Sequence, residues 1–170
     1  MPSLRVLASL TAVSLTGAVC FAPGAHASDY AWAPNGQYLV TSNGDWAKSN
    51  EVFHDEWTVR QVWNITTSCT GPTTCTSQLT SSQGWSAPIR FTGSQWIVDR
   101  VLPDWQPCQD GTKSPGHQKF RFYPVDPNGQ AVSGDGSIFA GVDQTDGVSG
   151  ACGKNLPLVI RLPLRLQRTL

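Results

Sequence analysis

No stretch of twelve or more residues in this chain carries a helical hydrophobic period. The nearest candidate, "WAKSNEVFHDEW" at 46–57, has room for one short helical turn. An α/β-hydrolase, which needs helices around its sheet, is excluded on that ground. Its nucleophile elbow G-x-S-x-G is missing too: "GVSGA" places Ser149 but ends on Ala151. The C-x-x-C spacing of a structural zinc site is absent, and no histidine stands near a cysteine. Basic stripes are lacking over the main body, and a nucleic-acid partner, which depends on phosphate neutralisation, is not expected. Arg161, Arg165 and Arg168 cluster near the C-terminus, but on one strand they read as a solvated face.

Long apolar runs are confined to the first 27 residues. Arg5 is followed by an apolar run from Val6 to Ala22, then Pro23-Gly24 and the small-residue pattern Ala25-His26-Ala27. This is the layout of a secretory signal peptide, with cleavage expected after Ala27. Ser9, Thr11, Ser14, Thr16 and Gly17 dilute the run below what a membrane-spanning helix of about 20 residues requires. Val19 before Cys20 also argues against a lipoprotein anchor, which wants a small residue there. Residues 28–170 then form one domain, secreted or held in the cell envelope, with no transmembrane segment. Without Arg5 the mature chain carries 11 basic and 12 acidic residues, a net charge near −1.

Four cysteines remain after cleavage, and an even number in an exported chain reads as a disulfide framework. Three connectivities are possible. Cys69 and Cys75 flank "TGPTT", a Gly-Pro turn that brings two antiparallel strands within bonding reach. Cys108 is then left to pair with Cys152. In "SGACG" Cys152 is therefore a bonded cysteine in a glycine-rich turn, not a nucleophilic thiolate.

Period-two alternation marks the strands. In "WTVRQVWNIT" (57–66), Trp57, Val59, Trp63 and Ile65 share a face, with Gln61 the exception. "SQWIVDRVL" (94–102) and "KFRFYPV" (119–125) read similarly. At the C-terminus Leu156, Leu158, Ile160, Leu162, Leu164 and Leu166 share a face, with Val159, Arg161, Pro163, Arg165 and Gln167 on the other, and Pro163 predicts an edge or a bend. Turn clusters at 33–36, 42–45, 126–129 and 133–136 punctuate these strands. The fold class is all-β: an antiparallel meander closed as a barrel or stacked as a sandwich, stapled by two disulfides.

The stretches "NGDWAKSNEVFHDEWTVRQVWNITTSC", "QLTSSQGW", "PDWQPCQDGT", "FRFYPVDPNGQ" and "VDQTDGVSGACGKNLPLVIRLPLRL" resemble a family of small exported proteins of mycobacteria and related actinobacteria. The resemblance runs from about Gly36 to Leu166 and is most specific at Ser149–Asn155, just before which Val148 stands in place of the family's proline. It implies an exported, disulfide-bonded protein of the envelope or culture medium. It implies no reaction, no ligand and no catalytic residue.

Candidate chemistry is sparse. In "FHDEW" (53–57), His54 and Glu56 point one way along an extended chain and Asp55 the other, so the three do not converge. His117 is the other mature histidine; either it or His54, beside a carboxylate in a cleft, would serve a small hydrolase. Asp126, Asp135, Asp143 and Asp146 sit among glycines, but "DPNGQAVSGDGS" lacks the terminal Glu of a calcium loop. They are read as turn residues, and no cofactor or metal is expected. Seven tryptophans are the strongest functional hint, since their faces stack on sugars and line apolar pockets. Trp57, Trp63 and Trp96 fit buried strand faces. Trp32 and Trp105 lie beside prolines and turns and are expected at the surface. Trp46 and Trp85 occur in an echo, "LVTSNGDWA" and "LTSSQGWSA", where each would plug a corner. These four are the candidate ligand contacts. The leading reading is a non-enzymatic binding domain for an envelope glycan, lipid or protein, with a concave surface lined by some of these tryptophans.

Overall fold

The computed structural model describes residues 30–133 and 135–169. The expected signal peptide, its cleavage site and Cys20 lie outside the described residues. The strands are β1 (Gly36–Ser42), β2 (Lys48–Ser49), β3 (Val52–Phe53), β4 (Val59–Gly71) and β5 (Thr74–Ser81). They continue with β6 (Ser86–Phe91), β7 (Trp96–Pro107), β8 (Lys113–Pro124), β9 (Ile138–Gly147) and β10 (Val159–Arg168). From β4 to β10 each of these strands pairs antiparallel with the next, and β1 pairs with both β4 and β10. The sheet therefore closes on itself as an eight-stranded barrel, which removes its free edges. The short β2–β3 hairpin pairs with the start of β10 at Ile160 and Arg161, ahead of the residues that pair with β1.

Alternation decides what fills the barrel. On β10, Leu162, Leu164 and Leu166 point inward, while Pro163, Arg165 and Gln167 face out. On β4 the inner face is Gln61, Trp63 and Ile65, so Gln61 is a buried member of the inner face and not an exception to it. Ser81 Oγ donates to Gln61 Oε1 at 2.6 Å, which meets part of the cost of burying an amide. The lower half of the interior is aromatic. Trp63 meets Phe120 edge-on at 5.0 Å and Phe122 at 6.2 Å, and Phe122 meets Phe139 at 5.6 Å. Burying one such ring is worth about 2 kcal/mol, and each edge-on pair adds about 1 kcal/mol.

The lower end is closed. Trp32, expected at the surface, is half-buried: it packs on Phe91 at 4.7 Å and Trp96 at 5.6 Å. Tyr38, fully buried, donates from its hydroxyl to Gly136 O at 2.7 Å and accepts from Arg168 Nη2 at 3.0 Å. The disulfide Cys69–Cys75 pins the β4–β5 hairpin at this end. At the other end Cys108–Cys152 ties the β7–β8 loop to the β9–β10 loop.

Several sequence expectations change. β10 is neither an edge nor broken at Pro163, because pairing with β1 stops at Leu164 and pairing with β2 starts at Arg161. Pro163 O accepts from Asn43 N on that side, so its missing N–H falls in the gap between two partners. Trp57 is not on a buried face: it is 91% exposed. The β4 ladder begins only at Val59, so the alternation continues past the last partner. The helical turn is a single 3-10 turn at Gly44–Trp46, and the rest of 46–57 is an arm made of the β2–β3 hairpin and an extended segment leading to β4. Leu156 precedes β10 and is exposed.

Candidate functional site

Strand direction sorts the loops between two ends. The ends of β1, β5, β7 and β9 and the starts of β4, β6, β8 and β10 all lie at the upper end, opposite Trp32. There the barrel opens into a cavity of about 340 Å³, walled by Trp57, Val59, Leu102, Trp105, Ile160 and Leu162. Its floor is polar, made by Gln61, Arg100, Gln118, Asp143 and Thr145.

Asp143 carries the electrostatics. It faces inward from β9 and is 3% exposed. Ser42 Oγ donates to its Oδ2 at 2.7 Å, and Gln118 Nε2 donates to its Oδ1 at 2.7 Å. Gln118 Oε1 in turn accepts from Arg100 Nε at 2.6 Å. The guanidinium of Arg100 lies 4.0 Å from the centre of the Trp85 ring, a cation–π contact, and Trp85 stacks on Phe120. Burial pushes the Asp143 carboxyl above its ordinary range, against the two hydrogen bonds and the charge of Arg100. Burial likewise lowers Arg100, opposed by Asp143. Among the described residues Arg100 donates a hydrogen bond only from Nε, and it lines the cavity.

Trp105 is placed by an irregularity in β7. The ladder pairs Leu102 with Gly116 and Gln106 with Ser114, so three residues of β7 face one of β8. Bulges at barrel rims re-aim side chains in this way. The Trp105 ring lies against Gly116 and Gly147, which are partners across β8 and β9. A Cβ on Gly116 would stand 2.7 Å from Trp105 Cδ2 and 2.7 Å from Thr145 Cγ2. Here glycine is required for space, not for its backbone freedom.

The four candidate tryptophans do not share a site. Trp105 lines the mouth, and Trp85 backs Arg100 beneath it. Trp46 sits at the same end but is 64% exposed and plugs nothing, unlike Trp85. The echo marks two turns, one of them a 3-10 turn and the other the β5–β6 hairpin. Trp32 belongs to the lower end, beside a groove of about 500 Å³ shared with Phe91 and Tyr123 and lined, among the described residues, by no charged side chain. Trp57, assigned to the core from its sequence pattern, is a mouth residue.

Asp126 and Asp135 are turn residues, each accepting from backbone N–H groups two residues on. Asp143 and Asp146 are not; both lie on β9. Among the described residues no three His, Cys, Asp or Glu side chains converge as metal ligands. His54 Nδ1 lies 3.3 Å from Glu56 Oε1, and Ser49 Oγ donates to the same oxygen at 3.1 Å. The carboxylate stands between serine and histidine, so the imidazole is not placed to take the serine proton. His117 shares a depression of about 280 Å³ with Asp99 and Asp146, and no hydroxyl or thiol lines it.

No protein-family model matches the chain, and no curated protein sequence matches it. Solved structures do. The monomer form of the M. tuberculosis PknI sensor domain superposes with a TM-score of 0.56 at 18% identity. The match covers 81% of this chain and 90% of that one. At that identity the likeness shows a shared fold. The neighbour is mycobacterial, as is the family that the sequence resembles. The two formed disulfides fit an exported protein. Among the described residues no helix is long and apolar enough to cross a membrane.

Proposed function

We propose that this chain is an exported, non-enzymatic binding domain whose barrel mouth captures a compact, hydroxyl-rich ligand, such as a terminal unit of an envelope glycan. In this reading the signal peptide is cleaved after Ala27 and residues 28–170 act as one domain. The observation that carries it is the Arg100–Gln118–Asp143 chain, half-buried at Arg100 and Gln118 and fully buried at Asp143, on the floor of an otherwise open cavity. Burying a carboxylate in a barrel core costs several kcal/mol and is not needed for folding, since the interior below is filled by rings. A ligand that donates to Asp143 and accepts from Arg100 Nη uses these groups. Trp105 and Trp57 offer faces for stacking on a sugar ring. Trp85 positions Arg100, Trp46 contributes from the rim, and Trp32 supports the closed base. The shared fold with a domain named as a sensor supports binding rather than catalysis.

The test is a glycan array probed with the full mature chain, followed by calorimetry of the tightest glycan. Arg100→Ala and Gln118→Ala should each weaken binding about 10- to 100-fold, the worth of a hydrogen bond to a charged group. Binding that survives both substitutions places the ligand elsewhere.

A further inference from the structure

Resting on that reading, the polarity of the mouth specifies the ligand further. A pocket for a free sugar needs a polar rim, where the sugar edge meets water. This mouth is built the other way round. Its floor is polar, while its upper wall is mostly apolar: Trp57, Val59, Leu102 and Ile160, with Glu56 and Gln83 beside them. The apolar character does not stop at the wall. Nine large hydrophobic side chains are exposed among the described residues, and only Leu39 and Val101 lie along the barrel wall. The other seven stand at the upper end: Trp46, Val52, Phe53, Trp57, Val59, Val148 and Leu156. Soluble domains rarely gather apolar side chains in this way without a partner for them.

The arm that presents Val52, Phe53 and Trp57 is held in place. Asn50 N donates to Val159 O and Asn50 Oδ1 accepts from Val159 N, so both bonds fix the hairpin tip to β10. Glu56 N and Ala47 N both donate to Gly44 O, and Arg161 pairs with Glu51. Gly44 itself is buried so closely that a Cβ would overlap Glu56 O. The apolar side chains are thus displayed by a fixed backbone.

We infer that the mouth takes a single amphiphile head first, with a hydroxyl-bearing head on the Gln118–Asp143 floor and an apolar tail leaving over Trp57 toward the arm. The volume agrees. About 340 Å³ holds about eleven waters, enough for one sugar-sized head but not for a long chain in addition. A tail must therefore leave the cavity, and the exposed hydrophobic side chains are where it leaves.

Calorimetry of the full mature chain tests this with paired probes: the methyl and octyl glycosides of glucose, mannose, galactose and N-acetylglucosamine, each octyl form below its micelle-forming concentration. At least one octyl glycoside should bind ~10-fold or more tightly than its methyl partner, since each buried methylene is worth about fourfold. Trp57→Ala should remove that gain, leaving the octyl and methyl forms of each pair within about threefold of each other. Gln118→Ala should weaken both members of the pair. Equal affinity within every pair overturns the amphiphile and leaves a glycan site standing. An octyl gain untouched by Trp57→Ala puts the tail elsewhere and also overturns it. Failure of every probe to bind removes the site reading itself. Adsorption to phosphatidylcholine vesicles without any octyl gain would assign the exposed hydrophobic side chains to surface contact and overturn the proposal.

Discussion

Arg100 and Asp143 form no direct ion pair; Gln118 stands between them, accepting from Arg100 Nε at 2.6 Å and donating to Asp143 Oδ1 at 2.7 Å. Opposite charges placed within one barrel would gain most by touching. Separation by an amide leaves each with capacity for a further hydrogen bond, which is the property expected of a receptor floor rather than of a structural bridge.

Asp143→Asn tests how that floor is stabilised. The folded chain holds its Asp143 proton more tightly than the unfolded chain, whose carboxyl titrates near 3.8. Stability contributed by this group is therefore greatest below about pH 4. It falls as pH rises through the raised value, and the cost is complete above it. The asparagine variant should lack that slope and be more stable at pH 7 by about 1 kcal/mol. Urea denaturation at several pH values checks this, and a variant less stable at pH 7 would mean that the ionised carboxylate contributes to folding.

Gly116→Ala brings a methyl group onto the Trp105 ring and Thr145. Overpacking of this kind costs about 1–3 kcal/mol. Trp105 fluorescence should shift and mouth affinity fall together, as followed by emission spectra and calorimetry.

Trp57→Ala removes a side chain that is almost fully exposed, so its unfolding free energy should stay within about 0.5 kcal/mol of wild type. A larger loss in chemical denaturation would show that the ring packs on the arm.

The two disulfides should differ in worth. Cys108–Cys152 closes a sequence separation of 44 and Cys69–Cys75 one of 6. On the chain-entropy model these correspond to about 4 and about 2 kcal/mol. Paired serine substitutions compared by urea denaturation give the order, with the long-loop pair the costlier loss.

Much of the scaffold could be read from the residues. β4 and β10 alternate cleanly, and the Gly-Pro turn between Cys69 and Cys75 sets those two residues directly opposite each other. The floor was hidden for a physical reason. The inner face of β9 is Phe139, Gly141, Asp143 and Thr145, with one large apolar residue among four, so hydrophobic alternation vanishes there. Its glycine is dictated by close approach, since a Cβ at Gly141 would overlap Arg121 O. Trp105 was recognised as a candidate, but its aim depends on a bulge that no local pattern announces. Trp57 was misplaced because alternation in sequence does not mark where hydrogen-bonded pairing ends.

Where a ligand touches the chain is the most direct test of the barrel mouth. A titration of the 15N-labelled mature chain with octyl glucoside, or with the tightest-binding glycoside of the panel, can be followed at the seven indole N–H signals. Trp57 and Trp105 should shift first, with Trp85 responding through Arg100, while Trp32, Trp63 and Trp96 hold still. Shifts centred on Trp32 and Trp96, or none at Trp105 under saturating ligand, would contradict a binding site at the barrel mouth.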